Sequence, residues 1–161
     1  MTAGPATLPV QKPKALPVIL RAGLLCGVLD ITAAFLVYGR FGVRPIRLLQ
    51  GIAAGLLGPR AWNGGLPTAF LGLVCHFFIA FSAAAVYFAL SRRLPFLIQR
   101  NIVSGVLYGP AVYFFMNRVV VQLSRARKYP FSFELMAIGV VIHIFCVGLP
   151  IATVVRRYSI R

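Results

Sequence analysis

The sequence predicts an all-α polytopic membrane protein: four membrane-spanning helices, with a short half-helix after the first that is either re-entrant or interfacial. Three observations predict this class. Of 161 residues, 60% are hydrophobic and only 12% charged, too few polar groups to clothe a soluble domain. The apolar residues come in runs long enough, at about 1.5 Å of rise per residue, to cross a bilayer core of about 30 Å. Finally, the basic residues gather at the ends of those runs.

Met1–Leu16 contains Pro5, Pro9 and Pro13 and reads as a disordered or extended lead-in. It lacks the short apolar core and small-residue cleavage site of a signal peptide. A single transmembrane domain then covers 17–155. Its first span is expected at Pro17–Tyr38, with Pro17 placed where a helix tolerates proline best. Gly23 and Gly27, four apart, give that helix a flat face for close backbone approach. Asp30 lies deep within it.

Ile46–Gly58 is apolar but only thirteen residues long, too short to cross. Gly51 and Gly55 and the Gly58-Pro59 stop fit a half-helix that re-enters the bilayer. The other reading lays it in the headgroup layer, with Arg44, Arg47 and Arg60 in water and Trp62 at the interface.

The second span, Pro67–Leu90, carries no charge and a single imidazole, His76. Ala69, Gly72, His76, Ala80, Ala83 and Tyr87 recur at spacings of three and four, a stripe that should face other helices. The third span, Asn101–Leu123, contains Gly105 and Gly109, then Pro110, where a kink is expected, and ends near Asn117, Arg118 and Gln122. The fourth, Phe133–Val155, opens with Glu134, where the helix dipole favours an anion, and a second kink is expected at Pro150. A basic tail, 156–161, follows.

The charge balance is +15, with 17 Lys and Arg against Asp30 and Glu134 alone. Nucleic acid is not the partner this placement implies, because no basic face lies outside the membrane envelope. The cations instead meet anionic headgroups, each worth about 1 kcal/mol near the surface; Arg92, Arg93, Arg156 and Arg157 are the expected contacts with membrane lipids. Four spans return the chain to its starting side. That side carries about nine Lys and Arg against about seven on the other, which orients both termini to the cytoplasm.

An internal repeat is visible. Gly72-Leu73-Val74-Cys75-His76-Phe77-Phe78 aligns with Gly139-Val140-Val141-Ile142-His143-Ile144-Phe145, and both helices run out to an Arg pair. The first and third spans share the Gly-x-x-x-Gly spacing. The pattern is that of two helical hairpins, 2+2, related by a pseudo-two-fold along the membrane normal, and it predicts that His76 and His143 face a common axis.

Depth along straight helices puts Asp30, His76 and His143 at one level, with Arg118 and Asn117 nearer the far side and Glu134 at that far edge, where it can pair with Arg118. A lone charge at such depth costs at least about 3 kcal/mol, so Asp30 must be protonated, wetted, or paired with His76, His143 or Arg118. Two chemistries follow. One is a polar clasp of interhelical hydrogen bonds, about 0.6–2 kcal/mol each. The other is a proton-sensitive centre, since a histidine beside a carboxylate exchanges a proton near neutral pH, as in a small channel or transporter.

Two histidines on separate helices could also ligate a haem b, although the clasp needs no cofactor. Cys26, Cys75 and Cys146 lie inside apolar runs without a Cys-x-x-Cys pair and read as small hydrophobes. No metal set or enzyme signature is present: no phosphate-binding glycine loop, no nucleophile elbow, no zinc-protease motif. The expected role is a structural or membrane-complex component, with surfaces suited to a homo-oligomer or a larger assembly.

His76, Tyr87 eleven residues on, Pro95, the glycine-containing third helix, and Gly139 and His143 followed by Arg156-Arg157 together resemble the YagU-type inner-membrane proteins of bacteria. The likeness covers Pro67–Arg161. It implies a location in the bacterial cytoplasmic membrane and carries over no catalytic residue.

Overall fold

A computed structural model describes residues 15–128 and 130–159, and all regular structure among them is helical. The first span is Ala15–Arg40 and the second Gly65–Ser91; the third and fourth are Asn101–Leu123 and Phe133–Ser159. Each is long and apolar enough to cross a bilayer, so the chain is an all-α polytopic membrane protein. A connector helix, Pro45–Leu57, and a 3₁₀ turn, Gly58–Asn63, join the first two spans, and a single helical turn, Phe96–Gln99, sits between the second and third.

The spans are longer at their ends than expected. Ala15 and Leu16 are already helical, and the rest of the proposed lead-in, residues 1–14, lies outside the described residues. Arg156–Ser159 continues the fourth span rather than forming a tail. Ala15 and Leu16 are apolar and extend the run, while at Arg156 and Arg157 a helix keeps the backbone bonded as the long basic side chains reach out of the lipid.

In the absence of a hydrophobic drive between helices in lipid, small residues that allow close approach set the packing. A shared core forms from Val18, Ala22 and Cys26 of the first span, Ala80, Ala84, Tyr87 and Phe88 of the second, and Val147, Ile151, Ala152 and Val155 of the fourth. The first span therefore lies between the second and the fourth. The third packs on the fourth and reaches the second through Tyr108, whose hydroxyl donates to the Ala83 carbonyl at 2.8 Å. The Tyr108 ring meets that of Tyr87 edge-on at 4.9 Å.

The two hairpins pack at the register that the internal alignment gives. A side chain placed at Gly23 or Gly27 would strike Phe81 or Phe77 of the second span, respectively. One placed at Gly105 or Gly109 would strike Gly148 and Leu149, or His143 and Ile144, of the fourth. In the alignment Phe81 corresponds to Gly148 and Phe77 to Ile144, so each glycine pair meets equivalent positions of its own hairpin. The second hairpin is the tighter, because Gly148 lets backbone meet backbone where the first has a phenyl ring.

Proline has different consequences at its two intramembrane positions. The helix Asn101–Phe115 runs through Pro110 without a break. Pro150 follows a π-helical stretch, His143–Gly148, whose wider turn accommodates a proline that offers no N–H to Cys146. A second π-helical stretch, Met116–Val120, has no proline after it.

Candidate functional site

The residues expected to form a polar centre converge in part, and they do so on one turn of the first span. His76 reaches across from the second span and its Nε2 bonds the Gly27 carbonyl at 2.8 Å. A carbonyl can only accept, so Nε2 carries the hydrogen in this contact. The approach is close because Gly27 presents no side chain; a Cβ there would sit 2.7 Å from the Phe77 ring. One turn further along the same helix is Asp30. Its Oδ1 lies 4.0 Å from His143 Nδ1, the one carboxylate–cation contact among the described residues, and an ion pair only when the imidazole is protonated.

His143 is held from two sides. Nδ1 donates to the Gly139 carbonyl one turn back at 2.9 Å, and the ring stands edge-on to Tyr113 with centroids 5.2 Å apart. The π-helical stretch begins at His143 itself. Because its Nδ1 hydrogen is committed to Gly139, the 4.0 Å approach to Asp30 is an electrostatic contact and not a hydrogen bond. Asp30 and His143 side chains are 21% and 19% exposed, so neither is sealed in the core.

The histidines thus share a target helix but not a geometry. His76 binds the partner span of its own hairpin, whereas His143 reaches past its partner, the third span, to the first. Haem ligation by both would require freeing His76 Nε2 from Gly27. Among the described residues no group of three or more His, Cys, Asp or Glu side chains gathers as a metal site.

Arg118 and Asn117 do not join this centre. Both are exposed; the Asn117 amide donates to the Tyr113 carbonyl within its own helix at 2.9 Å. Glu134 is exposed in the first turn of the fourth span, and no ion pair joins it to Arg118 among the described residues. The turn there is capped by Ser132, which accepts from Leu135 N at 3.4 Å. The reason lies in helix phase: the third span turns its glycines, not its polar end, toward the fourth.

The glycines fall into three groups. Gly23, Gly27, Gly105 and Gly109 pack span on span, as above. Gly72 receives the connector helix, with the Leu49 carbonyl lying where a side chain would go, and Gly139 faces the Tyr113 ring. Gly51 and Gly55 meet only ordinary contacts, Trp62 and Ser124, respectively. Gly148, absent from the sequence expectations, is the most confined of the glycines between two spans: a Cβ would collide with Gly105 O and Gly109 N. Its signal was the spacing to Ala152, four residues on and also buried.

Of the expected headgroup contacts, Arg92, Arg93 and Arg157 are exposed. Arg156 is not available in the same way. Its Nη1 donates to the carbonyls of Ile98 (3.3 Å) and Gln99 (2.9 Å) and to Asn101 Oδ1 (2.9 Å), tying the fourth span to the turn before the third. These bonds use only Nη1 and satisfy carbonyls left unpaired at a helix end, so Arg156 has a structural task beside any contact with headgroups.

Sequence reasoning also missed how the connector is anchored. Gln50, 3% exposed, donates to Gly65 O at 3.0 Å and to Thr68 Oγ1 at 3.3 Å, and Thr68 donates to Ala61 O at 2.8 Å. At the other end Arg125 N donates to Gly55 O at 2.9 Å. Both ends of the connector therefore attach to segments on the far side, and the helix lies across the first turns of the second span.

No family profile, curated protein or solved structure shows significant similarity to this chain.

Proposed function

We propose that this protein is a structural component of a membrane, or of a membrane complex, in which the first span is clasped from both sides by intramembrane polar contacts. The observation that carries the reading is that His76 bonds Gly27 and His143 stands against Asp30, so both imidazoles act on one turn of one helix. Such contacts fix helix rotation and depth in a medium where apolar packing alone specifies them weakly. A groove lined by Phe70, Leu73, Val74, Phe77, Phe78 and Phe81, and another lined by Gly42, Val43, Arg44, Arg47 and Trp62, include no member of this centre.

The third span supports the complex-forming part of the reading. Only 6% of its most apolar stretch is buried, and it presents Asn117, Arg118 and Gln122 outward. Outward polar groups on a span find partners in a neighbouring protein or at the membrane edge. The reading assigns no reaction and no cofactor. A bacterial cytoplasmic membrane, with both termini inside, follows from the YagU-type resemblance and the distribution of Lys and Arg.

A second reading, a proton-responsive channel or transporter, is favoured by one observation: Asp30 and His143 are a carboxylate and an imidazole in the bundle that each keep about a fifth of their side-chain surface. One experiment separates the two. The purified chain is reconstituted in liposomes with an internal pH dye, and melting is followed in detergent. The clasp predicts that an imposed pH gradient decays as in empty liposomes, and that H76A lowers stability by about 0.6–2 kcal/mol. Gradient decay that needs the protein and disappears in D30N would overturn the clasp in favour of transport.

A further inference from the structure

A groove of about 530 Å³ opens on the far side of the bundle, lined by Gly42, Val43, Arg44, Arg47 and Trp62. We propose that it binds the phosphate of an anionic phospholipid headgroup. The inference is independent of the polar clasp and uses none of its residues.

Local structure explains why these side chains share one groove. After the first span, Gly42 at φ 78 reverses the chain: Gly42 N donates to Gly39 O at 3.0 Å and Val43 N to Tyr38 O at 3.1 Å. Arg44 then takes an extended backbone, and Pro45 starts the connector helix. Arg44 and Arg47, three apart across that helix start, are on neighbouring positions of one face.

The Arg47 guanidinium is fixed. Nη1 donates to Trp62 O at 2.9 Å and to Gln50 Oε1 at 3.4 Å, and the group stands 5.9 Å from the indole centroid. Gln50 is itself held by Gly65 and Thr68. Of the five N–H groups on a guanidinium, those on Nε and Nη2 make no hydrogen bond among the described residues, and they form the planar fork that suits a phosphate. Arg44 forms no ion pair among the described residues; the chain has only two carboxylates, and the one described carboxylate–cation contact joins Asp30 to His143. Two arginines thus share a groove without an internal anion.

Depth selects the ligand. The groove lies between the end of the first span at Arg40 and the start of the second at Gly65, which is headgroup level, and an indole at that level is an ordinary interface anchor. The anions concentrated there are lipid phosphates. Free inorganic phosphate offers the same chemistry, so the test must separate the two sources.

Trp62 is the only tryptophan in the chain and it lines the groove, which makes its fluorescence a local probe. The full chain is placed in phosphatidylcholine nanodiscs with a minor fraction of brominated phosphatidylglycerol, or of brominated phosphatidylcholine as control. Bromines carried near the glycerol end of the acyl chains should quench Trp62 more from the anionic lipid than from the neutral one. R44Q should reduce that preference about fivefold, the factor one basic side chain contributes near a membrane surface, while R92Q/R93Q, at the opposite end of the second span, should leave it unchanged. R47K tests the fork, and should weaken the preference although the charge is kept.

Equal quenching by the two lipids overturns the proposal. So does a preference that survives R44Q but falls in R92Q/R93Q, which would report general attraction. A Trp62 response to millimolar inorganic phosphate in neutral nanodiscs, with no lipid preference, overturns the lipid and assigns the groove to a soluble anion.

Discussion

Replacing Gly148 by alanine tests the closest approach between two of the membrane spans. The added methyl would stand 2.6 Å from Gly109 N, with Gly105 O nearer still, where ordinary contact begins near 3.4 Å. Both atoms belong to backbone, so no rotamer change relieves the overlap, and the third and fourth spans must part by about an ångström. A radial gap of that size forfeits up to about half of each dispersion contact along the seam. Overpacking of this kind costs about 1–3 kcal/mol, and rigid backbone on both sides places it at the upper end. Alanine's higher helix propensity returns about 1 kcal/mol. The net loss is about 2 kcal/mol, or about 4–8 °C in melting temperature for a chain of this size. The assay is thermal unfolding of the purified protein in a mild detergent, beside G139A. At Gly139 the new methyl meets only the Tyr113 ring, which can swing away, so G139A should melt within about 2 °C of wild type. If G148A melts with wild type, or G139A falls as far, the account of this seam is wrong.

G72A should displace the connector helix, because the Leu49 backbone occupies the space its methyl needs; hydrogen exchange across Pro45–Leu57 should accelerate while the four spans keep their protection. R156A removes bonds to Ile98, Gln99 and Asn101, at about 1.5–3 kcal/mol, read as faster exchange at residues 96–101; R157A, an exposed neighbour, should change nothing there. Y108F deletes the hydroxyl that binds Ala83 O, and should cost about 0.5–1.5 kcal/mol in the same melting assay. A Y108F protein as stable as wild type would mean that the second and third spans are held by ring contact alone.

The spans were legible because lipid imposes so strict a demand: every long apolar run had to be a helix, and each proved to be one. Gly23, Gly27, Gly105 and Gly109 were legible as contact faces, since a four-residue spacing of glycines has few other uses in lipid. What the sequence did not disclose is which surface each face meets. Gly148 sits in a stretch with no second glycine nearby; its spacing to Ala152 was the one hint, and what it meets appears when Gly105 is laid on it. The level shared by Asp30, His76 and His143 could be read from helix lengths, but the partition of partners could not. His76 finds a carbonyl, an acceptor present at every residue and therefore invisible in a side-chain pattern. Arg118 and Glu134 share an edge in sequence yet stay apart, because helix rotation, set by the glycine seam, decides which side chains face. Arg156 read as a headgroup contact for the same reason that Arg157 did; the difference is an unpaired helix end that no spacing announces.

The placement of Asp30 on the first span has a consequence for biogenesis. Its carboxylate enters lipid with three helices still to be made, and the imidazole that will stand beside it arrives only with the last. During that interval Leu24, Leu25, Leu29, Ile31 and their neighbours must hold the segment in the bilayer against the aspartate's preference for water. Synthesis therefore passes through a nascent hairpin in which the first helix is already fastened to the second through His76, yet stays acidic on the face it reserves for the fourth.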